Sequence, residues 1–250
     1  MTMIDAYLER IGAGRESTLA ELQHRHLLTV PFENLSIHLG EEIELEADSL
    51  VRKVVERRRG GFCYELNGAF ATLLMGLGHH VELLQARVLT DGGVGIPYDH
   101  MALRVDGEFL ADVGYGAFSH YPLRIGDRRD QADPAGTFRI TETGEGDLDV
   151  FFNGEPEYRL ELRPRMLPDF RAGCWWHRTS PRSHFTRQVI CSRLTGQGRI
   201  SLSGSRTLTT TALDGAKTTE PLDGDDAMLA AFRKHFSIEL TEVPSVRAVE

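Results

Sequence analysis

Between Gly78 and His80 the spacing of apolar residues changes, and a chain that does this has to fold as packed helices followed by a sheet. Before that point apolar residues recur at helical intervals, in the sets Ile4, Leu8 and Ile11, then Leu19, Leu22 and Leu27, then Val51, Val54 and Val55, then Leu66, Phe70, Leu73, Leu74 and Leu77. Beyond it they alternate, at Val81 and Leu83 with Val88, at Met101, Leu103 and Val105, and at Phe109 and Ala111. A helix buries a stripe and a strand buries one face, so the two halves present different shapes to a core.

The boundaries carry their own signals. Thr18 followed by Glu21 reads as a capping box that opens a helix which Pro31 stops, and Asp48 reads as the cap of the next one, ending in the exposed run Glu56-Arg57-Arg58-Arg59. A further helix starts at Cys63 and ends at Gly78, placed for a left-handed C-cap. After the alternating runs, short strands are expected at 137–141, 148–152, 158–162 and 186–192, enough for a small barrel or curled sheet. An antiparallel pair at 199–203 and 206–212, a helix from Asp225 or Asp226 through Lys234 and a last strand at 238–240 complete the chain. The expected class is α+β, with a helical domain over 1–78, a central barrel-like antiparallel sheet over 79–192 and a small α/β lid over 193–250.

Composition excludes several classes of function. With a formal net charge of −9 the protein is a poor partner for nucleic acid, whose phosphates are bound by clusters of Lys and Arg. No apolar run has the length of a signal peptide or a membrane span, and three cysteines without tight spacing argue against a disulfide framework, so a cytoplasmic location is expected. One stretch departs from the average: between Arg159 and Arg187 seven arginines stand against Glu161 and Asp169, a local formal charge of +5. It reads either as a solvated surface or as a field that steers a phosphorylated donor.

The chemistry centres on Arg59-Gly60-Gly61-Phe62-Cys63-Tyr64-Glu65-Leu66-Asn67. Cys63 falls in the first turn of a helix, where free N–H groups and the helix dipole favour thiolate, and the two glycines leave room beside the sulfur. This stretch resembles the nucleophile segment of the arylamine N-acetyltransferase family. Three more stretches resemble family landmarks in the same order: Pro31-Phe32-Glu33-Asn34-Leu35, Asp99-His100-Met101 and Asp112-Val113-Gly114-Tyr115-Gly116. Pro181-Arg182-Ser183-His184-Phe185 is a weaker fifth.

The resemblance implies a cysteine-protease-like arrangement with Cys63 as nucleophile, His100 as general base then acid, and Asp112 as the group that orients the imidazole. It implies acetyl-coenzyme A as donor, an aromatic amine, hydrazine or N-hydroxyarylamine as acceptor, and ping-pong turnover through a thioester on Cys63. Phe32, Tyr115 and Gly116 are implied to line the substrate, and the N–H of Cys63 or Tyr64 to face the developing oxyanion. Arg59 is implied to anchor Glu33 and Asn34 as structural support.

The Asp106-Gly107 hairpin must put His100 and Asp112 on one face for this to work, and a three-residue loop over 105–107 that pairs Arg104 with Glu108 and His100 with Asp112 is the expected register. A macrolactam-forming amide synthase of the same family, fed by a carrier protein, is the alternative, and a hydrolase or transglutaminase-like enzyme with the same three residues is a more distant one. A zinc site from Cys174, His177, His184 and Cys191 lacks paired short ligand spacings, and no metal is expected. Oligomeric state is not legible in the sequence.

Overall fold

The protein is described by a computed structural model covering residues 2–246. Helix α1 (Met3–Ile11) is opened by a reciprocal capping box between Thr2 and Asp5, and α2 (Leu19–Thr29) by the expected one between Thr18 and Glu21. Val30 is extended ahead of Pro31, as the proline ring demands of its predecessor, and this ends α2. A two-residue strand β1 (Phe32–Glu33) and a one-turn helix α3 (Leu35–Leu39) follow, both too short to leave a periodic trace. In α4 (Ala47–Val55) the N-cap is Glu46, so Asp48 sits one step inside the first turn instead of capping it.

Helix α5 (Cys63–Gly76) is the centre of the molecule. Every residue from Cys63 to Ala71 is buried, so the helix is wrapped on all sides, as one with apolar residues around its whole circumference must be. Tyr7, Leu8, Leu22, Leu50, Val51 and Val54 from the earlier helices pack on it from one side, and Met101, Leu103 and Val105 from the other. It ends at Gly78 with φ 96°; the N–H of Gly78 bonds Met75 and that of His79 bonds Leu74, a Schellman closure that needs the left-handed glycine.

Nine antiparallel strands follow: β2 (Val81–Thr90), β3 (Gly93–Val94), β4 (His100–Val105), β5 (Phe109–Ala111), β6 (Leu123–Arg124), β7 (Gln131–Asp133), β8 (Gly136–Glu142), β9 (Leu148–Phe152) and β10 (Glu155–Leu160). They pair in the order β6-β5-β4-β2-β10-β9-β8-β7, with β3 on β2. The sheet curls around its own core of Leu84, Ala102, Leu110, Phe138, Val150 and Tyr158. Both faces of β4 are therefore buried, one toward α5 and the other toward the sheet interior.

The hairpin register differs from the expected one. Val105 pairs with Phe109 and Arg104 with Leu110, so the loop is 106–108. Asp106 and Gly107 both take positive φ, 53° and 71°, and the N–H of Glu108 bonds Val105 O at 3.1 Å, so Glu108 is one extra residue after a tight turn. The expected Arg104–Glu108 pair does not form, because Arg104 reaches Glu82 and Glu108 reaches Arg124. The slip is two residues, an even number, so His100 and Asp112 still share a face; they are diagonal neighbours instead of direct partners.

The last part begins with a 3-10 turn (Leu167–Phe170), α6 (Arg171–Thr179) and α7 (His184–Arg187), where a strand had been expected at 186–192. Strands β11 (Ile190–Thr195), β12 (Gly198–Ser203), β13 (Thr207–Ala212) and β14 (Lys217–Pro221) then join β1 in a second sheet of order β1-β11-β12-β13-β14, packed on α8 (Gly224–Phe236). The expected boundary at 192/193 thus falls inside β11, and this sheet reaches back to Phe32, which pairs with Ser192. Residues 238–240 form no strand; Ile238 is buried against the second sheet's core just after Ser237, whose φ of 57° turns the chain back. Among the described residues no helix is long and apolar enough to cross a membrane.

Candidate active site

Cys63 and Tyr64 occupy the first two positions of α5, where helical N–H groups have no carbonyl a turn earlier to meet them. The expectation that this favours thiolate is outweighed. Cys63 is only 4% exposed; burial pushes the thiol well above its ordinary range, the carboxylates of Asp112 and Asp99 add to the rise, and the N–H of Met101 aimed at the sulfur opposes it. A thiol in this setting needs a base.

The candidate base is within reach of an orienting carboxylate. His100 Nε2 lies 2.7 Å from Asp112 Oδ2, and both side chains are buried. Asp112 Oδ2 also accepts from the Tyr158 hydroxyl at 3.3 Å, while Oδ1 accepts from Asn67 Nδ2 and the Gly114 N–H, each at 2.9 Å. Four donors converge on one carboxylate and hold its plane. With Nε2 committed to Asp112, Nδ1 is the ring nitrogen left for proton exchange.

Asn67 ties the three segments together. It stands four residues after Cys63 and so on the same face of α5. It donates to Met101 O at 2.6 Å and to Asp112, and accepts from the Val113 N–H at 2.9 Å. Gly114 permits this closeness, since a Cβ there would stand 2.7 Å from Cys63 Cα. Sequence reasoning assigned Asn67 no role, although its spacing from Cys63 was a usable signal; Tyr158, on a strand of the curled sheet, left none.

Of the expected substrate contacts, Tyr115 lies beside the base, and Gly116 follows it in the chain. The Tyr115 ring meets the His100 ring edge-on at 5.0 Å and its hydroxyl donates to Glu157 O at 3.1 Å. Gly116 has φ 94° and nothing within 4 Å of where a Cβ would be, so space opens next to the ring. Phe32 is half-buried in a cluster with Phe185, and Phe185 in turn contacts Phe62. The side chain of Tyr64 is fully buried and its hydroxyl donates to Tyr98 O at 2.5 Å, so what Tyr64 can offer a substrate is its backbone N–H in the first turn of α5.

Beneath the start of α5 lies a buried ionic network. Arg59 grips Glu33 with Nε and Nη2, at 2.9 and 3.2 Å, and reaches Glu41 and Ser36. Burial alone would raise the Glu33 pKa, but Arg59 and Lys53 override it and hold the carboxyl down at about 2. The expected bond from Arg59 to Asn34 is absent: Asn34 donates to Phe185 O and Gln188 O, at 2.9 and 2.8 Å, and accepts from the Ile190 N–H. Asn34 therefore fastens β1 to the 185–190 segment, while Ser36 and Glu41 take its place on Arg59. Lys53 pairs with Glu65 at 2.5 Å, a second buried pair that sequence reasoning did not find.

The arginine-rich stretch is largely engaged. Arg159 pairs with Asp149, Arg165 with Glu161 and Arg171 with Glu46, and Arg187 donates to Ser183 O. Cys174 belongs to the core around α5 and Cys191 to the core of the second sheet, so the imagined zinc ligands do not converge. Among the described residues no group of three or more His, Cys, Asp or Glu side chains is arranged to hold a metal ion.

Comparison with known proteins shows what the chain as a whole is similar to. A family model described as N-acetyltransferase matches residues 17–245. The chain is 34% identical to the arylamine N-acetyltransferase of Mycolicibacterium smegmatis, with 96% of this chain and 93% of that protein covered. It is 32% identical to an arylamine N-acetyltransferase / N-hydroxyarylamine O-acetyltransferase of Salmonella typhimurium, over 81% of this chain and 77% of the other. Among solved structures, the Mycobacterium marinum arylamine N-acetyltransferase in complex with CoA superposes with a TM-score of 0.83 at 30% identity, covering 94% of this chain and 92% of that one.

Proposed function

We infer, from the premise that this chain belongs to the arylamine N-acetyltransferase family, that it carries an acetyl group from acetyl-coenzyme A to an aromatic amine, hydrazine or N-hydroxyarylamine by way of Cys63. The observation that carries this is the His100–Asp112 pair at 2.7 Å, tied through Asn67 to the helical turn that begins at Cys63.

In the first half-reaction His100 Nδ1 takes the Cys63 proton as the sulfur bonds the acetyl carbon, and Asp112 stabilises the imidazolium. The carbonyl oxygen gathers charge, and the N–H groups of Cys63 and Tyr64 are the candidate donors to it. Collapse expels coenzyme A sulfur, which receives the imidazolium proton. One thioester has replaced another, so the donor's reactivity is kept. In the second half-reaction the neutral amine nitrogen bonds the acetyl carbon, Cys63 sulfur leaves, and the amine's proton returns through His100 to the thiol. The enclosed setting of Cys63 and His100, 4% and 3% exposed, supports transfer over hydrolysis because it limits water near the thioester.

Support for a phosphorylated donor comes from a cleft of about 480 Å³ between the curled sheet and the second sheet, lined by Phe118, His120, Arg199, Ser201 and Lys217 among others. None of its described lining residues is acidic, in a chain of net charge −9. Arg199 donates to Ser192 Oγ at 3.1 Å and pairs with no carboxylate among the described residues. Phe118 meets Tyr115 at 5.3 Å, so the cleft wall is two ring contacts from His100. Arg199 and Lys217 are thus the candidate cations for donor phosphates in this cleft, both outside the arginine-rich stretch. Arg199→Ala should raise the KM for acetyl-coenzyme A roughly tenfold with kcat nearly unchanged, the worth of one charged hydrogen bond. Steady-state kinetics with varied donor checks this, and an unmoved KM would place the phosphates elsewhere. The three cysteines stand as free thiols, which supports a reducing compartment such as the cytoplasm.

The decisive test mixes the protein with acetyl-coenzyme A and no amine, then maps the mass gain. One acetyl group on the peptide containing Cys63, discharged by an added aromatic amine, is the expected result. Donor hydrolysis without aminolysis would point to a hydrolase, and acylation only by a carrier-bound chain would point to the amide synthase.

A further inference from the structure

Two residues immediately before His100 are held with unusual care. Tyr98 carries φ 60°, a left-handed backbone that side-chain-bearing residues seldom adopt, and such strain persists only where neighbours impose it. Four neighbours do so. The N–H of Tyr98 donates to Gln85 Oε1 at 2.6 Å, its carbonyl accepts from the Tyr64 hydroxyl at 2.5 Å, its ring meets Phe170 edge-on at 5.4 Å, and the Arg165 guanidinium lies 5.5 Å from the ring centre.

Asp99 is gripped in turn. Its carbonyl lies 3.2 Å from the Tyr64 hydroxyl and 3.1 Å from His177 Nε2, and its carboxylate Oδ1 lies 3.0 Å from that same nitrogen. The carboxylate's other oxygen accepts from the Val88 N–H at 3.3 Å, and His177 Nδ1 is itself 3.2 Å from Ser183 Oγ. This second, nearly buried His–Asp pair has no part in the proton transfers described above.

The geometry points to Tyr98 and Asp99 as a latch, gripped by Tyr64 from α5 and His177 from α6, that sets where the His100 imidazole stands relative to Cys63; Tyr64 and His177 are then positioning residues. The inference rests on the assignment of Cys63 and His100 made above. Its physical core is adjacency: Tyr64 follows the nucleophile in sequence, and its hydroxyl bonds the two carbonyls that precede the base. One side chain thus spans the two segments whose spacing the proton transfer depends on. Errors of an ångström in such spacing cost about 100-fold in rate.

The test uses the full chain and two readouts at Cys63: alkylation by iodoacetamide across pH, which needs no acetyl donor, and single-turnover acetylation by acetyl-coenzyme A. Tyr64→Phe and His177→Leu should each slow both reactions between about 10- and 100-fold. Donor KM should stay within about twofold, and the pH profile of alkylation should move toward that of an unassisted thiol. His177→Gln, which keeps a donor near the Nε2 position, should restore most of the rate. Tyr98→Gly removes the ring while suiting the left-handed backbone, so it folds without strain and should still lose rate. Rates within about twofold of wild type in these variants, or equal losses in His177→Gln and His177→Leu, would overturn the latch. Failure of the wild type to acetylate, with alkylation still sensitive to Tyr64 and His177, would instead overturn the acetyl-transfer assignment and leave the latch standing.

Discussion

Asp112→Asn should slow acetylation of Cys63 by about 10³- to 10⁴-fold, the size of effect seen when the orienting carboxylate of a nucleophile–His–Asp set is neutralised. Two losses combine. A neutral amide does not stabilise the imidazolium that forms when His100 takes the thiol proton. The amide can also present N–H where the carboxylate accepted from His100 Nε2 at 2.7 Å, which moves the ring proton to Nδ1 and blocks the nitrogen that must accept. Burial pushes the Cys63 thiol up and the Met101 N–H opposes this only in part, so the sulfur depends on its base. With the amide nitrogen turned to His100, the remaining oxygen still accepts from Asn67 and Gly114, but the Tyr158 hydroxyl loses its acceptor, at a stability cost of about 1–3 kcal/mol, so the rate is to be measured by single turnover on protein shown to be folded. A loss smaller than about tenfold would remove Asp112 from the mechanism.

Arg59→Ala should destabilise the fold by about 3–5 kcal/mol, because it strands a carboxylate in the protein interior. Glu33 is 0% exposed, and the guanidinium supplies two of its hydrogen bonds. For a chain of this size the melting temperature should fall by roughly 10 °C. The effect has a defined pH dependence. In the wild type Glu33 is held at about 2, below its unfolded value, so its stabilising contribution is complete above the ordinary carboxylate range and is lost as pH falls toward 2. Without Arg59 burial lifts the Glu33 pKa, and protonation relieves the buried charge. The gap in melting temperature between the two proteins should therefore narrow on going from neutral pH to about 3. A gap that stays constant with pH would mean that Glu33 and Arg59 do not form the pair that supports the start of α5.

Local chemistry was legible wherever a residue's role is set by its near neighbours in sequence. The Thr18–Glu21 capping box, the Gly78 closure and the placement of Cys63 at the head of a buried helix all follow from signals close together in the chain. Helices α6 and α7 were not legible. Their sequence is rich in Arg and broken by Pro164, Pro168 and Pro181, and they take helical form where Phe170, Cys174 and His177 are buried by the rest of the fold. The hairpin lies between these cases. Asp106-Gly107 named the turn, but Glu108 is met by a strand further along the chain, where the Ile125 N–H bonds Glu108 O at 2.9 Å and Arg124 pairs with Phe109.

By itself the sequence determined the order of helices and sheet and the residue types at 63, 100 and 112. Whether the last two share a face was open in the sequence, because a two-residue turn at Asp106-Gly107 would set them on opposite faces, and the register that unites them was expected only because the chemistry requires it. Tertiary structure alone decided that Asn67 and Tyr158 complete the hold on Asp112, that Tyr64 turns inward to the peptide before His100, and that Asn34 bonds the 185–190 segment instead of Arg59. These are contacts between residues dozens of positions apart, and each depends on how buried polar groups find partners once the helices and sheet have closed on one another, which no local pattern encodes.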